Sequence, residues 1–247
     1  MIFDPAFCLA AGIAVVFLGL SKGGFAGFGL VATPLLALAV PPVQAAAILL
    51  PVMLAQDLFS AWSFRREWDH RIIIATVPAA ALGIALAWAL AAHLSDAVVR
   101  LAVGALGLLF ALNHWSGRTP VKSDIRGGVF WGAVSGFTGT LANAGGPPFL
   151  IYALPQQLAK MTFVGTMAIY FAAINTMKLV PFFALGQFSV RNLATSTALL
   201  PLAIATNFAG IVLVRKIPSD AFYRMAYALV AMVSIALIWQ GATGVPR

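Results

Sequence analysis

Uncharged apolar runs recur along the whole chain, and they constrain its fold more than any other feature. Ala10–Leu20, Ile72–Ala92 and Tyr227–Trp239 contain no charged residue. Ile72–Ala92 is long enough for a helix to cross about 30 Å of hydrocarbon, and the other two are the uncharged middles of longer apolar stretches. Inside a bilayer the backbone must satisfy its own hydrogen bonds, which leaves helices as the solution for runs of this kind. The expected fold class is therefore an all-α integral membrane protein. With 62% hydrophobic and 9% charged residues, the chain has no room for a separate soluble domain. The opening residues Met1-Ile2-Phe3-Asp4-Pro5 lack the positive region of a cleavable signal, so the first apolar segment is expected to stay in the mature protein. A multi-pass protein of the cell inner membrane is the expectation.

The formal net charge of +8 comes from basic residues placed singly or in small groups between the apolar runs. That distribution fits the anionic cytoplasmic face of a bilayer and excludes a nucleic-acid surface. Cys8 is the lone cysteine, so no intrachain disulfide can form, and within an apolar run it reads as a small buried hydrophobe. His70, His93 and His114 fall near span ends without metal-ligand spacing. No glycine-rich loop ends in Lys-Ser or Lys-Thr, which argues against an ATPase of its own. No cofactor and no metal are expected.

The chain also repeats itself. Ser95-Asp96-Ala97-Val98-Val99-Arg100 returns as Ser219-Asp220-Ala221-Phe222-Tyr223-Arg224, at an offset of 219 − 95 = 124. Gly23-Gly24 and Gly145-Gly146 interrupt the first apolar stretch of each half, and Gln56 and Asn175 fall in the second. Residues 1–115 form the first repeat, 116–126 a cytoplasmic linker and 127–247 the second repeat. The breaks at Ser21-Lys22-Gly23-Gly24 and at Thr140 to Pro148 predict two half-helices joined by an unwound turn, because paired glycines and prolines stop a helix.

Topology follows from where the cations fall. If both broken stretches turn back as re-entrant hairpins, Arg65, Arg66, Arg71, Arg118, Lys122, Arg126, Lys160, Arg215, Lys216 and Arg224 share one side, and Arg100, Arg191 and Arg247 the other. Eight plain spans, the alternative, divide the same residues more evenly. The positive-inside rule favours the hairpins, which makes the halves inverted repeats, each a broken helix pair plus three transmembrane helices.

The breaks are the leading site candidates. A half-helix beginning within the membrane aims unpaired amides and a positive dipole end into the cavity, as an anion requires. Gly23, Gly24, Ala144, Gly145 and Gly146 would let an anion approach the backbone, although such glycines also serve close helix packing. Lys22 stands between apolar runs, where a cation marks an ion path or a paired charge. Asp57 and Lys178 occupy roughly corresponding positions in the two halves. They are expected either to pair, or to divide the work, with Asp57 carrying a coupling proton and Lys178 holding the substrate. Ser21, Gln56, Thr140, Asn143, Asn175 and Asn207 add neutral donors; Asn143 lies in a break and Asn175 sits three residues before Lys178 on one helical face.

Asn143-Ala144-Gly145-Gly146-Pro147-Pro148, then Phe163-Val164-Gly165-Thr166, Asn175-Thr176-Met177-Lys178-Leu179 and Pro181, resemble the TauE/SafE sulfite exporter family, also called TSUP. Gly19-Leu20-Ser21-Lys22-Gly23-Gly24 and Pro34-Leu35-Leu36 are similar to that family's amino-terminal glycine-rich segment. The resemblance implies a duplicated fold and a secondary transporter, often an exporter, of sulfite, thiosulfate, a sulfonate such as sulfoacetate, or another small organic anion. The partners it implies are that anion and the lipid bilayer. A proton or other coupling ion and a homodimer are compatible with it.

Two other classes remain open on the residues alone. A membrane-embedded enzyme needs a convergent nucleophile and base, whereas the acids and histidines are dispersed. A non-transporting partner protein would leave the intramembrane lysines without a purpose. The hairpin topology is testable with cysteines at positions 160 and 191 after replacement of Cys8. Position 160 should label from the cytoplasm and 191 from outside, and labelling of 191 only from the cytoplasm would establish eight spans.

Overall fold

The computed structural model describes residues 5–25, 29–37, 39–40, 42–90, 93, 95–117, 124–184 and 188–243. Arg118, Lys122 and Arg247, used in the topology count, and most of the linker lie outside the described residues. The described chain is helical, with no strand among those residues. In order come α1 (Pro5–Lys22), α2 (Gly29–Ala37), α3 (Pro42–Ser63), α4 (His70–Leu90), α5 (Asp96–Trp115) and α6 (Ile125–Leu141). Then follow α7 (Gly146–Ala153), a short 3-10 turn (Leu154–Gln156), α8 (Lys160–Met177), α9 (Leu179–Ala184), α10 (Val190–Lys216) and α11 (Ser219–Thr243). Seven segments among the described residues are long and apolar enough to cross a membrane, counting Lys160–Ala184 as one.

Their starts follow from sequence. The Asp69 carboxylate accepts from the amides of Arg71 and Ile72 at 2.8 and 3.1 Å to open α4. Asp124 caps α6 by accepting from Gly127, and Ser189 caps α10 by accepting from Asn192. Each cap satisfies amides that a helix start leaves unpaired. Outward-facing apolar side chains such as Leu58, Ile74, Leu82, Leu109 and Phe183 suit contact with lipid. Exposed Trp62, Trp88, Trp115 and Trp239 lie in the last turns of α3, α4, α5 and α11, where an interfacial aromatic belt belongs. Cys8 is exposed, contrary to the buried reading, because it lies on a face of α1 that the protein does not cover.

Two compact units make up the chain, and each draws on both sequence halves. One contains α1, α2, α3, α8 from Met167 onward, α9 and α10; the other contains α4 to α7, the start of α8 and α11. In the first unit α2 packs on α1, and α1 packs on α10. In the second α7 packs on α6, and α6 packs on α4. Each broken pair thus rests against the third long helix of the opposite half.

Both contacts are made through small residues. A Cβ on Gly23 would lie 2.6 Å from the backbone of Gly210, and one on Gly19 would strike Thr206. A Cβ on Gly136 would lie 2.2 Å from the Ala80 carbonyl oxygen, and one on Gly83 would lie 2.1 Å from that of Ala133. Lipid tails are as apolar as leucine, so helices in a bilayer associate by this kind of close approach. Gly136→Ala should therefore force α4 and α6 apart and cost about 1–3 kcal/mol in thermal unfolding in detergent. Gly12→Ala, whose Cβ meets nothing within 4 Å, should leave the transition in place.

Candidate functional site

Lys22 is the last residue of α1 and Asp57 lies on α3. Their side chains form an ion pair, Nζ to Oδ1 at 2.6 Å, with 9% and 2% of their surfaces exposed. Asp57 stands 63 − 57 = 6 residues before the end of α3, about 9 Å inside the helix at its normal rise. The pair therefore sits within the span, where neither charge could remain alone. Asn175 of α8 donates from Nδ2 to Oδ2 of the same carboxylate at 2.7 Å. The Lys22 ammonium also lies 5.4 Å from the centre of the Phe171 ring. Its position at a helix carboxyl end is favourable in itself, because the negative end of the helix dipole attracts a cation.

Lys178 occupies the joint between α8 and α9 and is buried, with 6% of its surface exposed. Pro181 lacks the amide that would bond to the Met177 carbonyl, which weakens the helix at this joint. Lys178 is close enough to both Lys22 and Asp57 to interact electrostatically with each. The expected Asp57–Lys178 pair does not form: Asp57 pairs with Lys22, which reaches it from the first break. Two ammonium groups thus share one carboxylate, leaving one positive charge uncompensated among these three side chains.

Gln56 faces away from its neighbour. Its Nε2 donates to the Ala203 carbonyl at 3.0 Å, and Asn207 donates to the Gln56 carbonyl at 2.8 Å. Ser60, one turn after Gln56, donates to the Lys22 carbonyl at 2.9 Å and accepts from the Asn207 amide at 3.0 Å. This network ties α3 to α10 and fixes the end of α1. The Gln56 Oε1 is buried with no hydrogen-bond partner. Ser21 packs near Gly29 and accepts at its carbonyl from the Gly24 amide. Gly24 has φ 130°, a conformation only glycine adopts readily, so its glycine serves the turn.

The second break belongs to the other unit. Asn143 has φ 53° in the left-handed region, which asparagine tolerates. Ser135 donates to the Gly145 carbonyl at 2.6 Å, and the Thr138 hydroxyl, which donates to Val134 at 2.8 Å, lies 3.2 Å from the Ala144 carbonyl oxygen, so hydroxyls of α6 line the unwound backbone. A Cβ on Gly145 would lie 2.7 Å from the Ser135 carbonyl oxygen, whereas one on Gly146 would meet nothing within 4 Å. Gly145 therefore serves packing, and Gly146 faces open space at the start of α7. Thr140 bonds back to Gly136 within its own helix.

Of the residues singled out from sequence, Lys22, Asp57 and Asn175 are in direct contact, with Lys178 in electrostatic range. Gln56 and Asn207 join the neighbouring network, and Asn143, Ala144, Gly145 and Gly146 form the second break in their own unit. Ser60, Ser135, Thr138 and Phe171 were missed. Ser60 had a signal in its spacing of four from Gln56. Hydroxyls bonding back to broken backbone at membrane depth have no pattern that separates them from ordinary helix-packing serines. No group of residues able to hold a metal ion occurs among the described residues.

The helices and their lipid-suited surfaces define a polytopic membrane protein with enclosed polar groups at each of two helix breaks. The family model for "Sulfite exporter TauE/SafE" matches residues 11–237, and the chain belongs to that family of membrane transporters. No curated protein and no solved structure matches the chain.

Breaking the ion pair should reveal its structural share. Lys22→Met leaves the Asp57 carboxylate enclosed without its partner and should lower stability by about 3 kcal/mol or more. Adding Asp57→Asn should restore most of that loss in detergent thermal unfolding, since a neutral amide needs no counter-charge.

Proposed function

We propose that the chain is a secondary transporter of the cell inner membrane, an exporter of a small sulfur-containing or organic anion such as sulfite, thiosulfate or a sulfonate. The observation that carries this reading is the excess of enclosed lysines: Lys22 and Lys178 share the single carboxylate of Asp57. An uncompensated ammonium is costly at membrane depth, and an anionic substrate removes that cost by binding there. Family membership supports the transporter class, and in the other unit the Gly146 amide, followed by two prolines that have none, stands beside open space that an anion could enter.

The two halves act in this reading as inverted repeats with re-entrant broken pairs. The packing of α2 on α1 and of α7 on α6 supports that geometry. Alternating access then moves one set of helices against the other around the breaks, driven by a proton, another ion or the membrane potential.

Counterflow in proteoliposomes with sulfite, thiosulfate, sulfoacetate and acetate tests the proposal and ranks the substrates. Lys178→Met should weaken the preferred anion about tenfold or more, the scale of one charge-assisted contact, while the protein stays folded. Gly146→Val should also lower flux with little loss of stability, because its side chain enters open space. Undiminished flux in either variant would remove that residue from anion handling.

A further inference from the structure

Resting on that transport reading, we propose that the site is charge-matched to one negative charge, so that a monoanion binds alone while a dianion binds only with a proton on Asp57. The carboxylate oxygens are not equivalent. Oδ2 accepts from Asn175 at 2.7 Å, while Oδ1 faces the Lys22 ammonium at 2.6 Å. A proton arriving from water adds to Oδ1, the oxygen with no hydrogen-bond donor other than that ammonium. The Lys22–Asp57 pair is then broken and Lys22 is free for the substrate. With Lys178 already uncompensated, the site now presents two positive charges to a dianion. When the dianion leaves, the proton leaves Oδ1 and the pair re-forms, so charge and proton balance over the cycle.

The surroundings contain little that could substitute for this proton. Lys22 faces Asp57 from α1, and Asn175 faces it from α8, with Lys178 just past the end of that helix. Tyr170 is the other titratable residue of α8 in this unit, lying 175 − 170 = 5 residues before Asn175. From α10 the groups at this level are neutral, Asn207 reaching Ser60 and the Gln56 carbonyl. α2 carries no titratable side chain. Arg191, Arg215 and Lys216 lie at the ends of α10, and Arg65 and Arg66 lie beyond the end of α3. In a site shielded from water, one unbalanced unit charge weighs far more than it does in solution, so charge count outranks anion shape.

The test compares methanesulfonate, a monoanion, with thiosulfate, a dianion, on the purified full chain. Calorimetric titration in buffers of different ionisation enthalpy counts the protons taken up on binding. Thiosulfate should take up one proton and lose affinity about tenfold for each unit of pH rise, whereas methanesulfonate should take up none and keep its affinity. Asp57→Asn should abolish proton uptake with thiosulfate, remove its pH dependence and raise the preference for thiosulfate over methanesulfonate about tenfold or more. If that variant does not fold, the proton count of the unaltered protein decides alone. Equal proton uptake by both anions, or none with thiosulfate, overturns the charge rule while leaving the transport reading intact. Binding of neither probe overturns the anion site itself.

Discussion

An ammonium group enclosed in a lipid-embedded protein needs a partner, and the arrangement around Asp57 follows from that need. Lys22 reaches the carboxylate only because α1 ends where it does, and α1 ends there because Gly23 and Gly24 stop the helix and turn the chain. The α1 end is in turn held by Ser60, which donates to the Lys22 carbonyl and bonds to Asn207. The break, the ion pair and the α3–α10 polar network thus depend on one another. A single change at Asp57 reaches all of them, since it leaves two lysines without a counter-charge.

The glycines divide into distinct physical roles that composition cannot separate. Gly19, Gly23, Gly83, Gly132, Gly136 and Gly210 allow backbones to touch, and the space a Cβ would need is already taken. Gly24 supplies a conformation, and Gly146 supplies an opening. Packing glycines give the protein its rigidity where polar networks are sparse, as in the contact of α4 with α6. The anion reading rests on a far smaller number of residues than the glycine content implies.

Much of the architecture was legible in the sequence for a simple reason: hydrocarbon imposes helices on long apolar runs, and paired glycines or prolines break them. The order of elements in each half, and the break positions, followed from those rules. Partner choice was not legible. Asp57 with Lys178 looked natural because the two occupy matching places in the repeat, yet the chain brings Lys22 to Asp57 by turning at Gly23. Cys8 was misread for a related reason. An apolar run tells that a helix is in lipid but not which of its faces meets lipid and which meets protein. Ser135 escaped notice because its bond goes to backbone exposed only by the break itself.

The exchange of partners between the two halves bears on how the protein is made. In the second unit, α4 is synthesised before α6, so the broken pair of the second half emerges with its packing surface already in the membrane. The first broken pair has no such advantage. Gly23 packs against Gly210, and 210 − 23 = 187 residues must be added before that partner leaves the ribosome. Until then α1 and α2 carry the Lys22 charge and a bare glycine face through the insertion machinery. Asp57 is the only acidic residue between Lys22 and Glu67 that can accompany them. An early ion pair with α3 would therefore let the amino-terminal helix pair α1–α2 persist in lipid while the rest of the chain is translated.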